Sequence, residues 1–189
     1  MDYFPEIKTE RLELKKLTSD HVESVFQHFA SEEVNKYVDF DPAESVDDAQ
    51  EIIDWGLGLY KGNNGILWGI FKKEDGTFIG QVNYVNRASD NFTDGVHRVE
   101  VGFDLSPQYW GNGYMKEAMI NTISWIFDSY KIGISRIEAI INVKNQRAKK
   151  LVSNIGFMEE GVLREYVKWK DEFWDMSLYS LIKKDWLKI

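Results

Sequence analysis

The sequence predicts an α/β protein of the α+β kind, a single domain over residues 1–189 around a mixed, mostly antiparallel sheet of about seven strands. Three observations carry this. Stretches that alternate apolar and polar residues give way repeatedly to stretches with helical spacing. Turn signals at 74–77 and 170–172 join neighbouring strand-like runs into hairpins. A strand-like run also leads through a glycine-bearing loop into a long amphipathic segment, and a second strand–helix pair follows. With 189 residues, 43% of them hydrophobic, the chain fills one core, whereas two independent domains would each be small.

In order, 11–16 alternates Leu12 and Leu14 with charges and reads as a strand. Asp20 and Glu23 then precede Val22, Val25, Phe26 and Phe29, a capped amphipathic helix. Ser45 with Asp48 three residues on is a second cap, leading into Ala49, Ile52, Ile53 and Leu57; the glycines from Gly56 to Gly62 are expected to fray this helix. Gly65–Lys72 and 78–85 read as strands joined across Asp75-Gly76, and 90–95 as a polar connector. Val99, Val101, Phe103 and Leu105 mark the next strand, antiparallel to that hairpin.

Beyond the loop at 107–114, Met119, Ile123, Ile126, Phe127 and Tyr130 recur on one helical face. The run 136–143 is another strand, Asn145 caps a helix carrying Ala148, Leu151, Val152 and Ile155, and Gly156 ends it. The segments 161–168 and 173–181 close the chain as a hairpin. There is no internal repeat and no low-complexity tract.

Composition narrows the functional classes. The formal net charge of -8 disfavours nucleic acid or an anionic membrane as partner and suits a cationic substrate such as an amine. No cysteine is present, so there is no disulfide framework, thiol nucleophile or thiolate metal site, and a cytoplasmic location is expected. The first residues lack a basic and apolar leader, and no run approaches a membrane span. His21, His28 and His97 lack acidic neighbours at ligand spacing, so no metal is expected.

The loop holds the most chemistry. Gly111 and Gly113 allow close backbone approach to an anion, and the following helix offers unpaired amides at its start. The dinucleotide fingerprint is incomplete because Lys116 stands where its third glycine belongs, and no Gly-Lys-Ser/Thr follows to make a P-loop.

The loop residues Gln108, Gly111 and Gly113, the preceding 100–105, and the distant Asn145-Gln146-Arg147-Ala148 with Gly156-Phe157 together resemble the GCN5-related N-acetyltransferase (GNAT) superfamily, and more narrowly its RimJ/RimL type of ribosomal-protein N-terminal acetyltransferase. The resemblance spans essentially the whole chain. It implies the GNAT fold, with helices on both faces of a sheet splayed between its fourth and fifth strands. It also implies acetyl-CoA as co-substrate without a metal, with the pyrophosphate on amides from Trp110 through Asn112, Tyr114 and Met115, and the pantetheine arm beside Phe103 and Leu105. Asn145 matches the family position that holds the pantetheine or a strand end, and it reads equally as a plain helix cap.

Acyl transfer from a thioester to an amine requires a neutral amine and stabilisation of the oxyanion. Glu100, on the strand leading to the acetyl group, is the expected base, and the resemblance assigns the Leu105 N–H as oxyanion donor. The leaving thiolate, from a thiol with an ordinary pKa of about 8.5, needs little acid help. Val152 occupies the position where many family members carry a tyrosine acid; Ser153, Tyr109 and Tyr114 are substitutes. Arg147, Lys149 and Lys150 form either a solvated face or a contact to the adenosine 3′-phosphate.

Trp125 and Trp186 read as packing residues, while Trp55, Trp68, Trp169 and Trp174 are expected to line the acceptor groove. The expected reaction is direct attack in a ternary complex, with a protein N-terminal α-amine, ribosomal in type, as acceptor. A small-molecule amine and a non-catalytic CoA-binding protein are the alternatives. The resemblance also makes a homodimer a possibility.

Overall fold

A computed structural model describes residues 3–38, 41–87, 97–130, 133–169 and 171–186. Eight strands form one sheet: β1 (Ile7–Lys8), β2 (Leu12–Lys15), β3 (Gly65–Lys72), β4 (Phe78–Asn86), β5 (Arg98–Leu105), β6 (Arg136–Asn142), β7 (Met158–Trp169) and β8 (Glu172–Ile182). Their order is β1-β2-β3-β4-β5-β6-β8-β7. The strand beyond the expected seven is β1, whose two residues are too short to display a period. The helices are α1 (Val22–Phe29), α2 (Glu32–Asn35), α3 (Val46–Lys61), α4 (Tyr114–Asp128), α5 (Gln146–Ile155) and α6 (Lys183–Trp186). The connector at 90–95 and Lys170 lie outside the described residues.

Packing divides the chain into two units, Met1–Val85 with Gly102–Thr122, and Asn86–Val101 with Ile123–Ile189, so that β5 and α4 contribute to both. In the first unit, β2, β3 and β4 are antiparallel neighbours, with Leu14 opposite Ile70 and Trp68 opposite Val82. Strand β3 is buried along nearly its whole length, which is why it reads as a continuous apolar run. One face meets α1 and α3 in a core of Leu17, Val25, Phe29, Ile53, Leu67, Phe71 and Phe78. The other face carries Trp68 and Tyr84, and the Tyr84 hydroxyl lies 2.8 Å from Thr122 Oγ1 of α4.

The second unit pairs β6 with β8 and β8 with β7, both antiparallel, and buries Ile137, Ala139, Val152, Ile155, Phe157, Tyr179 and Leu181. Here β5 runs parallel to β6 in register from Arg98↔Arg136 to Glu100↔Glu138, where the ladder stops. This parallel pair is the one between which the resemblance places the splay.

Three local expectations change. Helix α3 does not fray at Gly56 but continues to Lys61, because a Cβ at Gly56 would stand 3.1 Å from Leu67; glycine lets the helix lie directly on β3. The cap before α1 comes from Thr18 and not Asp20, since a 3-10 turn (Ser19–His21) intervenes and the Thr18 N–H donates to His21 Nδ1 at 3.0 Å. Helix α4 ends at Asp128, leaving Tyr130 outside it with its hydroxyl bonded to Asn86 Oδ1 at 3.1 Å. The Ser45 cap forms as read, with Ser45 and Asp48 exchanging side-chain-to-backbone bonds of 2.9 and 3.3 Å.

Candidate active site

The loop after β5 opens with a 3-10 turn, in which Tyr109 N–H donates to Ser106 O (2.9 Å) and Trp110 N–H to Pro107 O (3.1 Å). The Trp110 indole N–H donates to Leu105 O at 2.6 Å. Trp110 therefore spends both donors within the loop and the strand end. Gly111 and Gly113 have φ of 79° and 78°, a left-handed conformation that glycine adopts without strain. Among the described residues, the amides of Gly111, Asn112 and Gly113 donate to no carbonyl, while Glu117 N–H closes the first helical bond to Gly113 O at 3.0 Å. Successive free amides at a helix start form an anion site.

Three carbonyls of the same loop accept from side chains. Asn112 Nδ2 donates to Tyr109 O and Trp110 O, each at 3.2 Å, and Arg11 donates from its guanidinium to Asn112 O at 3.0 Å. Arg11 also donates from Nε to Glu117 Oε2 (2.7 Å) and from its backbone N–H to Glu117 Oε1 (2.8 Å), with its guanidinium 4.5 Å from the Tyr114 ring centroid. Thr9 Oγ1 donates to Glu117 Oε1 at 2.5 Å. Burial pushes the Glu117 carboxyl up, but the bonds from Thr9 and Arg11 outweigh it and hold it below the ordinary value. Thr9, Arg11 and Glu117 went unnoticed in the sequence; an acidic residue in the first turn after an anion loop was the available signal.

Leu105 and Met115 are buried, so their part in a ligand site is through backbone, while Phe103 is half-buried and Gln108 and Asn112 are exposed. Ser106 N–H donates to Ile79 O at 2.9 Å, and amides alternate sides along a strand, so the Leu105 N–H points away from β4. On the face toward α1, His28 Nε2 lies 2.6 Å from Asp104 Oδ1, and His28 Nδ1 lies 2.7 Å from Ser106 Oγ. His28 is thus a buried tie, a role that no local sequence pattern discloses.

In the second unit, Glu100 is bound by Arg87, whose Nε and terminal nitrogen lie 2.8 and 2.7 Å from Glu100 Oε2. Asn145 caps α5, its Oδ1 accepting from Ala148 N–H at 3.1 Å, and Gly156 ends that helix in a left-handed conformation. Val152 is fully buried and Ser153 is exposed. Of the basic cluster, Lys149 pairs with Glu159 at 3.4 Å. Among the tryptophans, Trp68 departs from the expected groove, being fully buried with its indole N–H on Pro5 O (2.6 Å), because β3 is a central strand covered on both faces. Trp55 on α3 is 47% exposed, and Trp169 and Trp174 are half-buried on the closing hairpin.

A strand that leads through free amides into a helix start, with a parallel neighbour in the same sheet, agrees with the fold that the resemblance implies. The chain belongs to the GNAT family: the pattern described as acetyltransferase (GNAT) domain matches residues 11–158. It is 31% identical over 180 residues to the "Uncharacterized N-acetyltransferase YoaA" of Bacillus subtilis (strain 168), covering 95% of this chain and 98% of that one. It is 26% identical over 128 residues to the [Ribosomal protein uS5]-alanine N-acetyltransferase of Escherichia coli (strain K12), covering 68% and 63% of the two chains. The solved structure of RimL, a ribosomal L7/L12 alpha-N-protein acetyltransferase in complex with coenzyme A, superposes with a TM-score of 0.81 at 16% identity, covering 94% of this chain and 98% of that one. The protein is an acetyl-CoA-dependent N-acetyltransferase.

Proposed function

We propose that the acceptor is the α-amine of a protein N-terminus, ribosomal in type, and that transfer is direct within a ternary complex. The observation that carries this reading is the similarity to the uS5-alanine N-acetyltransferase over two thirds of the chain. Acetyl-CoA supplies the acetyl group as an activated thioester.

The residues divide the remaining work. The free amides from Gly111 to Gly113, continued by the first turn of α4 at Tyr114 and Met115, hold the diphosphate, with Gln108 and Trp110 shaping the loop that presents them. Phe103 and Leu105 flank the pantetheine arm, and Asn145 is a further contact to it or a plain cap of α5. Glu100 takes the proton from the acceptor ammonium, which titrates near pH 8 for an α-amine. Arg87 keeps the Glu100 carboxylate oriented. The Leu105 N–H, turned away from β4, donates to the oxygen that gains charge when the amine attacks.

Mass spectrometry of the proteome of cells with and without this protein tests the acceptor assignment. Loss of acetylation at one protein N-terminus is expected. An unchanged set of acetylated N-termini, together with turnover of a polyamine or aminoglycoside in vitro, assigns the enzyme to small-molecule amines instead.

A further inference from the structure

The amide cradle depends on something that the glycine motif does not supply. Two glycines at positive φ with Asn112 between them form a segment in which individual peptide planes flip at little steric cost. A cradle binds an anion only when its N–H groups face inward together. In a trans peptide, the C=O and N–H point in opposite directions, so fixing one carbonyl fixes the amide of the next residue.

The structure fixes the carbonyls of Tyr109, Trp110 and Asn112. Asn112 Nδ2 takes those of Tyr109 and Trp110 and so orients the Trp110 and Gly111 amides. Arg11 takes the carbonyl of Asn112 and so orients the amide of Gly113. Arg11 is held in turn, because Glu117 Oε2 accepts from its Nε and Glu117 Oε1 from its backbone N–H and from Thr9 Oγ1. Its backbone carbonyl accepts from Lys73 N–H at 2.9 Å, which ties this residue to the end of β3. The guanidinium lies over the Tyr114 ring, at the first residue of α4. Arginine suits the task, since its planar fork serves a carboxylate and a carbonyl at fixed angles, which a lysine ammonium does not.

We propose that Arg11 is a positioning residue for coenzyme A: with Asn112 it pins the outward carbonyls of the loop, so that the Gly111 and Gly113 amides face the diphosphate before the ligand arrives. Glu117 serves this device by locking Arg11 and by cancelling its charge. The affinity for coenzyme A then depends on a residue upstream of β2, about a hundred positions from the glycine motif. The inference rests on the cofactor assignment and leaves the acceptor open.

The test is equilibrium binding of coenzyme A by titration calorimetry to the full-length wild type, Arg11→Gln, Arg11→Lys and Asn112→Ala. The Gly113 amide is followed in parallel by proton–nitrogen NMR. About a tenfold rise in Kd is expected for Arg11→Gln and for Arg11→Lys, and a smaller rise for Asn112→Ala. In the wild type, coenzyme A should shift the Gly113 amide proton downfield; in Arg11→Gln that resonance should broaden before ligand is added. A variant that retains the wild-type melting temperature and binds within about twofold of wild type overturns the proposal. If Arg11→Gln unfolds, Arg11→Lys and Asn112→Ala decide by the same Kd criterion. Failure of the wild type itself to bind coenzyme A refutes the cofactor assignment, and the inference with it.

Discussion

His28 Nε2 stands 2.6 Å from Asp104 Oδ1, joining the buried face of α1 to the end of β5. The other ring nitrogen, Nδ1, lies 2.7 Å from Ser106 Oγ, so one imidazole bridges a carboxylate and a hydroxyl. The ring also packs edge-on against Phe29 and Phe78. This tie brackets Leu105, the last residue of β5. Replacing His28 with Ala removes ring packing and leaves a half-buried carboxylate without this partner, so equilibrium urea unfolding should show a loss of about 2–3 kcal/mol. Asp104→Asn should cost less, because the amide oxygen still accepts.

Glu100 gives the sharpest kinetic prediction. With Glu100→Gln, kcat should fall by about a hundredfold or more, the usual scale for a lost general base. The Kd for coenzyme A should stay at its wild-type value, since the cradle lies on other residues. Steady-state kinetics beside calorimetry checks both, and an unchanged kcat removes Glu100 from the chemistry.

Gly113 adopts φ of 78° with only the Arg11 guanidinium near its missing side chain. A Gly113→Ala change meets backbone strain of about 1–2 kcal/mol in that conformation. The loop should relieve it by turning a peptide, and the Kd for coenzyme A should rise about tenfold in a calorimetric titration.

Acidification should weaken cofactor binding through Glu117. Its carboxyl is held below the ordinary value of 4.5 in the folded protein, so its contribution is complete above that value and is lost as pH falls through the depressed folded one. Coenzyme A affinity, measured stepwise below the ordinary glutamate range, should fall in the wild type. In Glu117→Gln the part of this fall due to the Arg11 lock should be absent.

Local signals and long-range ones fared differently. The β3–β4 hairpin, the Ser45 and Asn145 caps and the strand–loop–helix at 98–128 were legible because each rests on residues a few positions apart: Asp75-Gly76, Ser45 with Asp48, and Gly111 with Gly113. Helix α3 ends at Lys61 with Gly62 as its cap, inside the window its glycines mark, but runs unbroken through Gly56, whose close approach to Leu67 no local propensity discloses. Trp68 was read as a groove residue because burial on both faces of β3 is decided by what packs there. Arg11 with Glu117, and His28 with Asp104, lie far apart in the chain and meet only through topology, which no periodicity encodes.

Acetyl transfer to an amine releases free thiol from acetyl-CoA, which can be followed directly. Purified protein is given acetyl-CoA and a panel of peptides with free N-termini, polyamines and aminoglycosides. Thiol release that depends on one class of amine and yields the acetylated amine is the result expected. No release above the protein-free rate with any amine, from protein that binds coenzyme A, would rule out acetyl transfer and leave a binding protein without turnover.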